Sequence, residues 1–187
     1  MTKEITFITG NLNKVDELRR YLSFPIQHHT LDLPEIQSLD VCEVATHKAQ
    51  AAYQQLQVPV LVEDTSLTFN ALGKLPGPFI KYHLEEFGLD GLCRLLDPYE
   101  DRSAVATTCF ALCDADGVSL FNGKRVGTIP TEPCGATSFG WNPIFIPEGE
   151  TMTWAEMEEI DPAATSETSM RRLALEKVEM YLTTHYT

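Results

Sequence analysis

The chain has 187 residues, with 14 Lys and Arg against 27 Asp and Glu, a formal net charge of −13. Hydrophobic residues make up 43% and charged residues 22%, a globular composition that excludes a disordered or fibrous chain. An excess of negative charge repels polyanions and argues against a grip on DNA or RNA, whereas a small anionic substrate would need a few cations gathered at one place, or a metal.

No apolar run approaches the roughly 20 residues that span a bilayer. The N-terminus reads as a strand and carries no secretory signal, so the expected compartment is the cytoplasm. Glu4 to Thr9 is β-rich. Gly10-Asn11 follows as a turn, then a helix from Asn13 to Ser23 with Val15, Leu18 and Leu22 on one face. Ile26 to Leu31 is a second strand. Cys42 to Gln57 is a helix with Val44, Ala51, Ala52 and Leu56 on its apolar face. Val60 to Glu63 is a buried strand ending in two carboxylates, Glu63 and Asp64. A Gly/Pro loop from Gly73 to Pro78 follows, then helical stretches from Phe79 to Phe87 and from Asp90 to Leu96. Ser103 to Cys113 and Val118 to Ile129 are long strands joined by the turn Asp114 to Gly117. The tail from Pro162 to about Tyr181 is an amphipathic helix with Met170, Leu173, Ala174, Lys177 and Val178 on one face. The order predicts an α/β protein, a mixed twisted sheet flanked by helices. Residues 1–187 form one domain of two lobes, the middle third building much of the second.

Several residues could carry chemistry. Thr9-Gly10-Asn11-x-x-Lys14 ends a strand and opens a helix, where free amides and the helix dipole favour a phosphate; a plain βα turn with an Asn cap explains it as well. Glu63 and Asp64 offer oxygen ligands for Mg²⁺ or a base for water, or they are a solvated strand end. Lys48 lies on the apolar face of its helix, where a lysine snorkels or serves an anion. Glu35 is a loop acid. In Phe139-Gly140-Trp141-Asn142, the aromatics could stack on a base and Asn142 could read its edge; the alternative is a loop anchored in the core. Arg171 and Arg172 could clamp phosphate or base, or face solvent. The five cysteines lack zinc spacing and read as reduced; Cys109 and Cys113 share a strand face. His28-His29 reads as exposed surface.

Together these stretches resemble the inosine triphosphate pyrophosphatase family. The resemblance rests on Thr9-Gly10-Asn11-x-x-Lys14 with Glu17, Asp32-Leu33-Pro34-Glu35, Lys48, the stretch from Val60 to Lys81, Phe139-Gly140-Trp141, Ala155-Glu156-Met157 and Arg171-x-x-Ala174-Leu175. It implies an elongated α/β fold with a cleft between two lobes, a homodimer, Mg²⁺ as cofactor, and cleavage of a deaminated purine nucleoside triphosphate to monophosphate and pyrophosphate. It implies that Thr9, Gly10, Asn11 and Lys14 form the phosphate turn, that Glu35 and Asp64, with Glu63 as a further candidate, lie near the metal, and that Asp64 is the general base. It makes Lys48, Thr65, Lys81 and Arg171 substrate contacts and Phe139, Gly140, Trp141 and Asn142 the base loop. The sequence departs from the family at Asn142, Thr165 and Met170, where the family has Asp, Lys and His. Altered or relaxed base selection is therefore expected, and a binder without turnover is the competing reading. No nucleic acid polymer or membrane is an expected partner.

Overall fold

A computed structural model describes residues 4–136, 140–161, 165 and 168–186. Its seven strands and the helices around them make a mixed α/β fold. In chain order they are β1 (Ile5–Ile8), α1 (Leu12–Tyr21), β2 (Ile26–His29), α2 (Val41–Leu56), β3 (Val60–Phe69), β4 (Pro76–Gly77), α3 (Ile80–Arg94), β5 (Ser103–Asp114), β6 (Gly117–Thr128), β7 (Ile146–Pro147), α4 (Trp154–Ile160) and α5 (Met170–His185). The sheet order is β2-β1-β3-β5-β6-β7, with β4 paired to β3. β1 runs parallel to β2 and β3, while β4 and β7 pair antiparallel with β3 and β6. Among the described residues, no helix is long and apolar enough to cross a membrane.

The chain forms two compact units. The first comprises Met1–Thr65, Thr108–Gly123 and Arg171–Thr187; the second comprises Ser66–Thr107 and Lys124–Met170. In the first unit both sheet faces are covered, so its strands read as continuous apolar runs. On one face Ile5, Phe7, Leu61 and Phe110 pack against Val15 and Leu18 of α1 and Ala174 and Val178 of α5. On the other, Ile8, Val60, Val62 and Cys109 pack against Val41, Ala45 and Ala49 of α2. Asn11 caps α1 by accepting from the Asn13 amide (3.0 Å), and Asp40 caps α2 by accepting from Cys42 (2.9 Å).

The second unit is built on an aromatic cluster. Phe145 and Trp154 lie 4.4 Å apart between ring centroids, and Trp141 is 5.7 Å from Trp154 and 5.9 Å from Phe145. α3 breaks at Gly88 (φ 65°, ψ 179°), a conformation glycine adopts without steric cost. Gly127 allows a close approach: a Cβ there would lie 2.4 Å from the Ile146 carbonyl oxygen.

Three expectations need correcting. β3 does not stop at Glu63 but continues to Phe69, because β-prone Thr65 to Phe69 carries the strand on. The helix expected from Pro162 is interrupted: Thr165 and Thr168 are helical, Ser169 is not, and α5 starts at Met170, while residues 162–164, 166 and 167 lie outside the described residues. Lys177 is exposed, and its ammonium donates to the Asn122 carbonyl (2.6 Å), whereas Leu175 takes the buried place. The five cysteines are all free thiols, with Cys93, Cys109 and Cys113 buried; burial pushes the Cys93 thiol up to about 11.

Candidate functional site

Adjacent residues on a strand point to opposite faces of the sheet. Glu63 and Asp64 therefore part company. Glu63 goes to the face covered by α1 and α5, and Asp64 to the face covered by α2.

On the α2 face, Lys48 reaches out along the stripe that includes Val41, Ala45 and Ala49, and its ammonium sits 2.9 Å from Asp64 Oδ2 and 2.7 Å from Glu35 Oε1. Asp64 Oδ1 accepts from the Thr65 amide (3.1 Å). Burial would lower the Lys48 pKa, but the two carboxylates outweigh it and hold the ammonium above the ordinary lysine range. Two carboxylates converge on one ammonium. The trio and the Thr65 amide thus bring together four of the residues singled out from the sequence.

On the other face, Glu63 is buried, with a side chain 1% exposed. Its Oε1 accepts from Arg171 Nε (2.9 Å) and Nη2 (2.8 Å), and Lys14 Nζ lies 3.5 Å away. Arg171 Nη1 donates to Glu17. Burial pushes the Glu63 carboxyl up, yet Arg171 and Lys14 prevail and hold it below the usual carboxylate range. Arg171 shows the converse: burial acts downward, and the two carboxylates raise it further. Two anions and two cations balance here. These contacts correct two expectations. Glu63 is turned to the face opposite Asp64, with Arg171 and Lys14 about its Oε1, whereas Glu35 and Asp64 meet at Lys48. Arg171 does not face solvent: it is buried, and its guanidinium donates to the carboxylates of Glu63 and Glu17. Arg172 pairs with Glu176 one turn on (3.1 Å).

The turn after β1 is tightly bonded. Thr9 Oγ1 accepts from the Asn11 amide (3.1 Å), and the Lys14 amide donates to the Asn11 carbonyl (3.2 Å). The Gly10 and Leu12 amides have no acceptor among the described residues, and the space beside Gly10 is open. Sequence reasoning missed His28. It is half-buried, not exposed, and its Nε2 donates to the Thr9 carbonyl (2.7 Å). The alternation of β2, with Ile26 and His28 inward, was the available signal.

The second unit holds the other candidates. Lys81 is exposed on α3, 3.9 Å from Glu85. Trp141 is 8% exposed, with its ring packed in the aromatic cluster of the core. Asn142 is also buried, and its amide donates to Glu158 Oε1 (3.0 Å). An aspartate would place a second carboxylate there, which explains an amide at this position physically. Met170 is buried in the same core, and the Thr165 carbonyl accepts from Thr168 Oγ1 (3.3 Å). Gly140 is exposed with φ 51°. Phe139 and Ser166 lie outside the described residues. Among the described residues no three His, Cys, Asp or Glu side chains cluster as a ready-made metal site.

Residues 5–181 match the sequence model of the Ham1 family. The inosine triphosphate pyrophosphatase of Ajellomyces capsulatus is 43% identical over 189 residues, covering 98% of this chain and 99% of that protein. A Ham1 protein from Coxiella burnetii has a TM-score of 0.83 at 28% identity, covering 97% of this chain and 98% of its own. A nucleoside-triphosphatase, also titled dITP/XTP pyrophosphatase, from Mycobacterium abscessus has a TM-score of 0.72 at 28% identity, covering 91% of this chain and 97% of its own.

Proposed function

Because the chain belongs to the Ham1 family, we propose that it is a nucleoside triphosphate pyrophosphatase acting on deaminated purine nucleotides. Inosine, deoxyinosine and xanthosine triphosphates are the substrates, and the products are the monophosphate and pyrophosphate. The observation that carries this reading is the trio Glu35, Lys48 and Asp64, in which two carboxylates from separate parts of the sequence converge on one ammonium.

That donor set fits Mg²⁺. Magnesium takes one or two carboxylates plus substrate phosphates and keeps several waters, so it needs no third protein acid. Glu35 and Asp64 would hold it, and when bound it neutralises phosphate charge and makes water more acidic. The chain's own groups do the rest. Asp64 accepts the proton of the attacking water. Lys48 and the Thr65 amide hold that carboxylate in orientation. The Gly10 and Leu12 amides, at the positive end of α1, take phosphate oxygens, and Thr9, Asn11 and Lys14 shape the turn that presents them. Lys81 is a further phosphate contact, and Phe139 and Gly140 are base-side groups. The net charge of −13 keeps nucleic acid polymers away. A homodimer and a cytoplasmic, membrane-free setting complete the reading.

A specific observation favours altered base selection as a second reading. Asn142 and Met170, at two positions where the family carries Asp and His, are committed to internal contacts. Neither supplies the carboxylate or the imidazole that the resemblance places there. The test is pyrophosphate release with Mg²⁺ across inosine, xanthosine, adenosine and guanosine triphosphates. Selectivity for the deaminated pair of roughly 10²-fold or more, as pocket hydrogen bonds can give, supports the first reading. A flat profile supports the second, and no pyrophosphate from any of them overturns both.

A further inference from the structure

The parallel ladder between β1 and β2 pairs Ile8 with His29 and ends with the Thr9 amide donating to the His29 carbonyl (3.2 Å). One more rung would bring an amide from the residue after Thr30 to the Thr9 carbonyl, but β2 has already ended at His29. Two side chains take over that rung. His28 Nε2 lies 2.7 Å from the Thr9 oxygen, and Thr30 Oγ1 lies 3.3 Å from it. A carbonyl only accepts, so His28 carries its proton on Nε2. His28 lies on β2 and Thr30 just past its end, and neither belongs to the turn itself.

From Thr9 the bonding continues into α1. Its hydroxyl oxygen accepts from the Asn11 amide, and Asn11 in turn caps the helix at Asn13. An orientation fixed at the Thr9 carbonyl is therefore passed through Thr9 and Asn11 to the Gly10 and Leu12 amides. We propose that His28 is a positioning residue for substrate binding: its imidazole fixes the Thr9 peptide so that the turn presents those amides to the triphosphate. The inference rests on the reading of this turn as the phosphate site. His28 touches neither substrate nor the reacting atoms in this scheme, so it acts on binding rather than on the chemical step.

The test compares His28→Leu, which removes the donor, with His28→Gln, which returns an amide N–H at similar reach. Thr30→Val removes the weaker donor and serves where His28→Leu folds poorly. Pyrophosphate release from inosine triphosphate is measured with Mg²⁺, together with calorimetric binding of inorganic tripolyphosphate. For His28→Leu, KM and the tripolyphosphate Kd should rise roughly three- to ten-fold, the range for one lost hydrogen bond, with kcat almost unchanged. His28→Gln should recover most of that loss, and Thr30→Val should show a smaller rise in the same direction. A parent-like KM in His28→Leu, a fall confined to kcat, or a His28→Gln as impaired as the leucine variant overturns the inference while the pyrophosphatase reading stands. A parent protein that releases no pyrophosphate overturns that reading first, and this inference with it.

Discussion

The ionic groups of the first unit and the aromatic loop of the second drew attention for the same reason: residues of unusual chemistry at unusual places in the sequence. Their fates differ. Around β3, polar side chains are sorted by the pleat into a buried cluster about Glu63 and Arg171 on one face and a partly open trio on the other. In the second unit, Trp141 and Asn142 are absorbed into the core and into a bond with Glu158. The contrast teaches that an odd residue signals chemistry only when its partners leave it something to do. The trio is partly open, whereas the Trp141 ring is packed against other aromatics and the Asn142 amide is bonded to Glu158.

The comparison can be broken by mutation, starting with the largest expected effect. Trp141→Ala should cost about 3–5 kcal/mol of unfolding free energy, because it removes a large ring from a packed cluster. Denaturant titration reads this directly, and a loss below about 1 kcal/mol would mean that the ring is held for something other than packing. Glu63→Gln should cost about 3 kcal/mol, because it leaves Arg171 buried with only part of its compensation. The same titration against pH sharpens the point. The Glu63 carboxyl is held below its ordinary value of 4.5, so its contribution is complete above that value and is lost as pH falls through the folded value below it. The parent should therefore lose stability more steeply than Glu63→Gln on acidification below that value, and equal slopes would deny the buried pairing. Asn142→Asp should cost about 1–3 kcal/mol, since it removes the donor to Glu158 and sets two carboxylates together. A neutral or stabilising Asn142→Asp would show that this amide is not fixed by Glu158.

Much of this was legible in the sequence. The β1–turn–α1 unit followed from the spacing of Val15, Leu18 and Leu22, and the break at Gly88 fell between the two helical stretches assigned around it. Lys48 stood out because a lysine on an apolar stripe needs a reason, and the structure gives Asp64 and Glu35 as its partners. The length of β3 was not legible, because a Glu-Asp pair after three buried residues imitates a strand end. Nor was the burial of Arg171. Its acceptors, Glu63 and Glu17, are 108 and 154 residues away in sequence, and no local pattern encodes such a meeting. His28 was passed over for the same reason: its acceptor is a main-chain oxygen on another strand.

The proposed hydrolysis depends most directly on Asp64. The decisive measurement is kcat for pyrophosphate release from inosine triphosphate with saturating Mg²⁺, in the parent and in Asp64→Asn, with the melting temperature of each as a check on folding. Asparagine keeps the shape of the side chain but cannot take a proton from water. The expected result is a melting temperature close to the parent's and a fall in kcat of roughly 10²-fold or more, the scale of a lost general base. A folded Asp64→Asn protein that turns over at near the parent rate would contradict the account.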